Sequence, residues 1–426
     1  IASLLLLLVI SCDSGGGADP EAAAENVEAG FSALEDALDA CNDVSNCDFS
    51  EALGAFEDAV RNDPSNTDAQ FGLAMLRMVS VVNNEDMQAL LEGLDMGMGR
   101  ISTTSIPSTN NLISFMNQID LSQFNPITFI SSSIFDHEND DMSMEEISEL
   151  INLLHDVIDD VFIPTLGLTI NGLNVLINTN DFEFEITGDM QGDSYQSSIY
   201  VRHAEIYALK AAMHTLRAGL YIISAYNLDP GTDEIAALNQ NSSFLKIRSG
   251  NSNHLPNAHD DFNDVINSLQ QIDDASKGDA FSEMTTADEV ELNNAASDLN
   301  NLMNSLYNIE ICTEYEQNCY ENCWDWEVCD DDWCYESDNC ISYDEISIDI
   351  SGFMNSPLNN LKDILPSYSI VNECIVWAQN TASQWVAAFD TTFGGLFPFA
   401  TDDILDIDDD DLNDWESEIC SEDDEN

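Results

Sequence analysis

Apolar residues recur at helical spacing over most of the chain. Phe31, Leu34 and Leu38 share one face of a predicted helix that begins near Val27. Ala52, Phe56 and Ala59 mark a second helix, which stops before Asp63-Pro64, and Asn66 opens a third carrying Ala69, Leu73 and Ala74. Met144 to Val161 places Ile147, Leu150, Leu154, Ile158 and Val161 on one face, and Pro164 is expected to end that helix. Phe182 to Ile186 alternates like a short strand, with Leu168 to Ile170 as its expected partner. Ser197 to Asn227 is the longest helix predicted; Ile206, Leu209, Met213, Leu216, Leu220 and Ile223 form its core stripe. Further helices are expected from about Pro256 and over Thr286 to Tyr307, where Thr286 and Glu289 have capping-box spacing. Pro357 to Ile364 and Ser369 to Phe389 complete the set. The predicted fold class is mainly α: a helical-hairpin module and an irregular helical body, with a short β hairpin and a small disulfide-rich insert.

The pattern A-x3-F-x2-A-x4-P, carried by Ala52, Phe56, Ala59 and Pro64, resembles the second helix of a tetratricopeptide repeat. Leu73-Ala74 stands where the next repeat would place Leu-Gly. The resemblance covers about residues 27 to 97 and implies paired helices with small residues at their crossing. The first helix departs from it, with acidic residues and the Cys41 loop where an aromatic and Gly would stand. Expected boundaries are 1–12 for a signal peptide, 13–26 for a flexible tether and 27–100 for the tetratricopeptide-like module. A helical body at 101–310, a disulfide-rich insert at 311–345, C-terminal helices at 346–400 and an acidic tail at 401–426 follow.

Residues Ala2 to Ile10 form an apolar run too short to span a bilayer, which needs about 20 residues. It has the length of a signal-peptide core. Val9-Ile10-Ser11-Cys12 resembles the lipobox of bacterial lipoproteins. That resemblance implies cleavage before Cys12, lipidation of Cys12 and a lipid-anchored location in the bacterial cell envelope, periplasmic or cell-surface. No later stretch reads as long and apolar enough to cross a membrane.

Charge changes the picture of partners. The chain has 81 acidic and 10 basic residues, a formal net charge of -71. Nucleic-acid binding draws on clustered Lys and Arg and is not expected. Docking on anionic lipid heads is disfavoured for the same reason, leaving the lipid anchor as the membrane contact. The excess acid reads as a solvated surface, with cations as the rival reading. Of 11 Cys, lipidation would use Cys12 and leave ten: Cys41, Cys47, Cys312, Cys319, Cys323, Cys329, Cys334, Cys340, Cys374 and Cys420. In an exported protein these are disulfide candidates, up to five bonds of open connectivity.

Three groups of side chains are candidates for binding. Arg202, His203, Lys210, His214 and Arg217 run beside the apolar stripe, and half of the ten basic residues lie between 202 and 248. They suit an anionic ligand or carboxylate, or neutralise nearby acids. Trp324, Trp326 and Trp333 sit in the Cys-rich stretch and suit an exposed partner-binding surface. Asp406, Asp408 and Asp410 alternate like the first ligands of a calcium loop, but Asp411 and Ser417 stand where Gly and Glu are required. His254, His259, Asp260 and Asp264 gather near a predicted helix start, where Asp also serves as a cap. The sequence carries no G-x-S-x-G, H-E-x-x-H, phosphate-loop or dinucleotide fingerprint. The reading is a non-enzymatic cell-envelope lipoprotein with an envelope protein as partner. The alternative is a ligand- or calcium-binding surface lipoprotein; no cofactor is expected, calcium being the candidate.

Overall fold

Helix formation begins earlier than the apolar spacing implies, at Pro20. In the computed structural model α1 spans Pro20–Ala40. Pro suits the first helical turn, the Asp19 carboxylate accepts from Ala22 N–H at 3.1 Å, and Glu-Ala-Ala-Ala-Glu is strong helix-forming sequence. The expected tether at 13–26 is therefore helical from Pro20. The structure describes residues 18–40, 47–81 (with 84, 86, 87 and 89), 143–187, 198–232, 234–239, 241–276, 286–319, 334–371, 374–378 and 382–399. It divides into two units, Ile1–Ser224 with Asp264–Ala296 and Ala225–Asn263 with Ser297–Asn426.

In the first unit α2 (Ser50–Asn62) and α3 (Thr67–Ser80) follow α1. Asn66 caps α3 by accepting from Ala69 N–H at 2.9 Å. The apolar face of α2 is buried at Ala52, Phe56 and Ala59, as the spacing requires. Phe56 is fully buried, and its ring fills the space left by two glycines. A Cβ on Gly30 of α1 would meet that ring at 2.9 Å, and one on Gly72 of α3 at 2.4 Å. Three helices thus close on one ring. Phe31 stands edge-on to Phe56 at 4.9 Å and touches Phe184 at 5.7 Å; Phe184 meets Phe71 at 4.4 Å. This aromatic path joins the N-terminal helices to the main core of the unit.

Pro164 does not end its helix. α4 (Met144–Val157) continues through a π turn, Ile158–Phe162, into α5 (Ile163–Ile177). Ile163 N–H bonds to Ile158 O, one residue further back than in an α-helix. The wider turn absorbs a proline that would clash in a regular helix. Consequently Met144–Ile177 is, by length and composition alone, long and apolar enough to cross a membrane, which corrects the sequence expectation. Its second half is also built as a core helix. Leu166, Thr169, Ile170, Gly172, Leu173 and Leu176 are buried, and Gly172 lies against Gln70 and Ala74 of α3. Ser143 begins α4 with a capping box: its hydroxyl accepts from Glu146 N–H while Glu146 accepts from Ser143 N–H. The Ser143 N–H and, secondarily, the Ser143 hydroxyl donate to the Glu146 carboxylate and hold its pKa below the usual carboxylate value.

The short strand is found, with a different partner. β1 (Phe184–Ile186) pairs antiparallel with β2 (Ile199–Val201), whereas Leu168 to Ile170 belong to α5. Fifteen residues of continuous helical bonding override a local alternation of three. Because β2 takes Ile199–Val201, the long helix α6 runs His203–Ala225 rather than from Ser197. Its stripe is core: Ile206, Met213, Leu220 and Ile223 are buried, and Leu209 and Leu216 pack against them.

The second unit holds α7 (Glu234–Leu238) and the paired segments around Ile247 and Asn360. α8 (His254–Ser276) and α9 (Thr286–Asn304) run between the units' residue ranges. Where a small disulfide-rich insert was expected, the described residues form a long antiparallel ribbon, β3 (Tyr307–Cys319) with β4 (Cys334–Ile348). Alternating Ile, Tyr and Glu favour extended backbone there. α10 (Ile350–Asn355) and a 3-10 turn, Leu361–Ile364, follow. The helix expected over Ser369 to Phe389 is instead a hairpin, β5 (Tyr368–Val371) with β6 (Cys374–Trp377), then α11 (Ala382–Ala388). Tyr-Ser-Ile-Val and Cys-Ile-Val-Trp are rich in strand formers. A ladder of rings, Tyr368, Trp377, Trp385, Phe389, Phe393 and Phe397, links these elements at successive centroid distances of 5.2 to 5.6 Å.

Candidate functional site

The five basic residues singled out around α6, Arg202 to Arg217, all lie among the described residues. They are dispersed. His203 to Arg217 covers about 20 Å of helix axis, and the five serve different neighbours. Arg202 grips Glu183, with Nε at 2.8 Å and the guanidinium at 2.7 Å from the same carboxylate oxygen. Its guanidinium also lies 5.5 Å from the centre of the Tyr200 ring. Glu183 directly precedes β1 and Arg202 directly follows β2, so the pair fastens the end of the sheet where Phe184 faces Val201. His203 bonds through Nε2 to the Thr179 carbonyl at 2.9 Å, tying the start of α6 to the end of α5. Lys210 is half-buried. Arg217 places a guanidinium nitrogen 3.4 Å from where a Gly167 Cβ would stand, against α5. Arg202 and His203 thus fasten elements of the first unit, and Arg217 lies against α5.

His214 is the exception in burial, at 2 % exposed. Its Nδ1 lies 3.7 Å from the Asp264 carboxylate of α8, whose side chain is half exposed. That separation is beyond a hydrogen bond and suits an ion pair when the ring is protonated. His259 does not join it: Nε2 of His259 bonds to Met303 O at 3.2 Å, and Nδ1 lies 4.0 Å from Asp260. The expected gathering of His254, His259, Asp260 and Asp264 is thus divided between separate partners.

The second unit contains a polar centre that the sequence did not single out. Lys362 is 3 % exposed. Its ammonium donates to Ala237 O at 3.1 Å, Asn239 O at 2.9 Å and Ser242 Oγ at 2.7 Å. All three ammonium protons thereby have an acceptor, and two acceptors are carbonyls at the end of α7, where a cation is favoured. Burial lowers the Lys362 pKa below the ordinary lysine value, and the nearby Lys246 lowers it further; Asp363 opposes them. Around it, Asn360 accepts from Lys362 N–H at 3.2 Å and donates to Asp363 at 3.1 Å. Tyr368 donates its hydroxyl to Leu238 O. The cluster is a latch that fastens the 237–242 loop to the 360–368 segment.

Comparison of the chain with protein-family models, curated proteins and solved structures finds no match to any of them. The chemistry therefore rests on the residues themselves. Cys12, Trp324, Trp326, Trp333, Asp406, Asp408 and Asp410 lie outside the described residues. So do Cys41, Cys323, Cys329 and Cys420; for Cys312, Cys319, Cys334, Cys340 and Cys374 the description is of backbone. Lys362 gave one signal in sequence, a rare cation between Leu361 and Ile364, which reads equally as an exposed turn.

The latch segments give a pH prediction. Tyr226 donates its hydroxyl to Leu358 O at 2.9 Å, and burial pushes its pKa up to about 12. A phenol held protonated by the folded state contributes stability that is complete below about 10 and is lost as pH rises through about 12. Unfolding midpoints measured across that window should fall in the wild type and fall less in Tyr226→Phe. The remaining slope belongs partly to Tyr368, whose pKa is raised chiefly by burial.

Proposed function

We propose that the chain is a non-enzymatic cell-envelope lipoprotein, anchored through Cys12, that binds or scaffolds another envelope protein. The observation that carries this reading is the closure of α1, α2 and α3 on Phe56. The residues that resemble a tetratricopeptide repeat, Ala52, Phe56 and Ala59, are those buried at this crossing, and Gly30 and Gly72 abut the ring. Stacked helical repeats bind partner proteins along extended concave surfaces. Glu28 and Glu51 are exposed on these helices. Cys47, buried and disulfide-bonded beside Phe49, favours an oxidising compartment. The excess of acid fits a solvated outer surface rather than a nucleic-acid partner.

A photo-reactive residue at Glu51 of the anchored, full-length chain tests the reading. One discrete adduct to an envelope protein is expected, without an equivalent from a probe at the exposed Asp298 of α9. No adduct, or the same products from both positions, would contradict a binding module.

A further inference from the structure

We propose that a disulfide joins Cys319 to Cys334 and clamps the far end of the β3–β4 ribbon. In the antiparallel register Gln317 faces Glu336, Asn318 faces Tyr335 and Cys319 faces Cys334, without a shift between them. Directly opposed residues in such a pair have Cα atoms about 4.5 or about 5.5 Å apart, according to whether they exchange hydrogen bonds. A disulfide spans Cα separations of about 4.4 to 6.8 Å, so either class admits the bond. The register also discriminates among pairings. Cys312 faces Tyr343 and Cys340 faces Tyr315, so these two cysteines are displaced by three residues along β4, about 10 Å of strand, beyond disulfide reach.

The ribbon has a physical need for such a bond. Among the described residues β3 and β4 pair only with each other, in a two-stranded sheet with strands of 13 and 15 residues. A two-stranded sheet is marginal in water by itself. Three register shifts between Cys312 and Gln317 weaken the ladder nearer its base. Cys319 and Cys334 end their strands, so a bond between them closes residues 320–333 and fixes the register beyond the shifts.

Formation balances by thiol–disulfide exchange with a small disulfide such as oxidised glutathione. The Cys319 thiolate attacks the oxidant, forming a mixed disulfide and releasing one glutathione thiolate. The Cys334 thiolate then attacks the Cys319 sulfur, forming the protein S–S bond and releasing the second. Two electrons pass to the oxidised glutathione, and its two released thiolates take up the two protons that the cysteine thiols gave up. The pairing follows from strand register and is tested in a defined redox buffer, so its failure would not touch the anchoring proposal.

The test equilibrates the full chain in a glutathione redox buffer, blocks remaining thiols with an alkylating agent and maps peptides by mass without reduction. A peptide containing Cys319 linked to one containing Cys334 is expected. Cleavage after acidic residues within 320–333 should leave these strand ends covalently joined until reductant is added. In Cys319→Ser, Cys334 should become fully alkylated, and the reciprocal holds for Cys334→Ser. Linkage of Cys319 to another cysteine, or alkylation of both in the wild type, would overturn the pairing. The wild-type map decides the matter even if a variant fails to fold.

Discussion

Replacing Phe56 with Ala should cost the first unit about 3–5 kcal/mol, the usual range for emptying a fully buried aromatic site. The size follows from the packing. The ring is fully buried, stands edge-on to Phe31, and fits against two glycines that leave no side chains to collapse into the gap. The glycines supply the converse test. Gly72→Ala places a methyl 2.4 Å from the ring and should destabilise by about 1–3 kcal/mol through overpacking. Gly54→Ala, on α2 but with nothing within 4 Å of the added carbon, should stabilise by about 0.5–1 kcal/mol. Denaturant unfolding of the three full-length variants reads these values directly. Destabilisation by Gly54→Ala as great as that by Gly72→Ala would mean the ring is not the centre of the module.

Lys362→Met should destabilise the second unit by about 2–4 kcal/mol, although it keeps the apolar stem. The loss comes from acceptors. Ala237 O, Asn239 O and Ser242 Oγ would each lose the ammonium donor, and a buried acceptor without a donor costs about 1–3 kcal/mol. Partial hydration of the half-exposed loop keeps the total below the sum. Amide exchange locates the effect: protection should fall at Ser242, whose N–H closes a turn onto Asn239 O, and at Leu245, whose N–H bonds to Asn227 O. Uniform loss of protection across both units would contradict a local latch.

Much of the first unit was legible because its helices are amphipathic and carry their own stops. Ala52, Phe56 and Ala59 read as one face and are one buried face; Asn66 read as a helix opener and is a cap. The errors have physical sources. Pro164 reads as a breaker only when the turn before it is α-helical, and a π turn is invisible in the residue pattern. Phe182 to Ile186 read correctly as extended, but pairing is non-local, and its partner lay beyond the next segment rather than before it. The C-terminal hairpin was mistaken for helix because Ile370, Ile375 and Trp377 satisfy either period over so short a run.

Polar residues were harder to read than apolar ones. His203 and Arg217 share a helix face in sequence with Arg202 beside them, yet a helix face does not tell which neighbour meets each residue. Glu183 and Thr179 reach two of them from the hairpin and the end of α5. Lys362 gave the weakest signal and has the most complete hydrogen bonding described, since its three acceptors lie more than 100 residues earlier in the chain.

The anchoring of the mature chain at Cys12 is the claim on which the functional account turns, and fatty-acid labelling tests it most directly. The full chain, expressed behind a short basic leader in a bacterial host supplied with an alkyne analogue of palmitate, should incorporate the label and enter the detergent phase. Cys12→Ser should reduce both to background. Labelling of the wild type no greater than that of Cys12→Ser, with the protein remaining in the aqueous phase, would contradict the account.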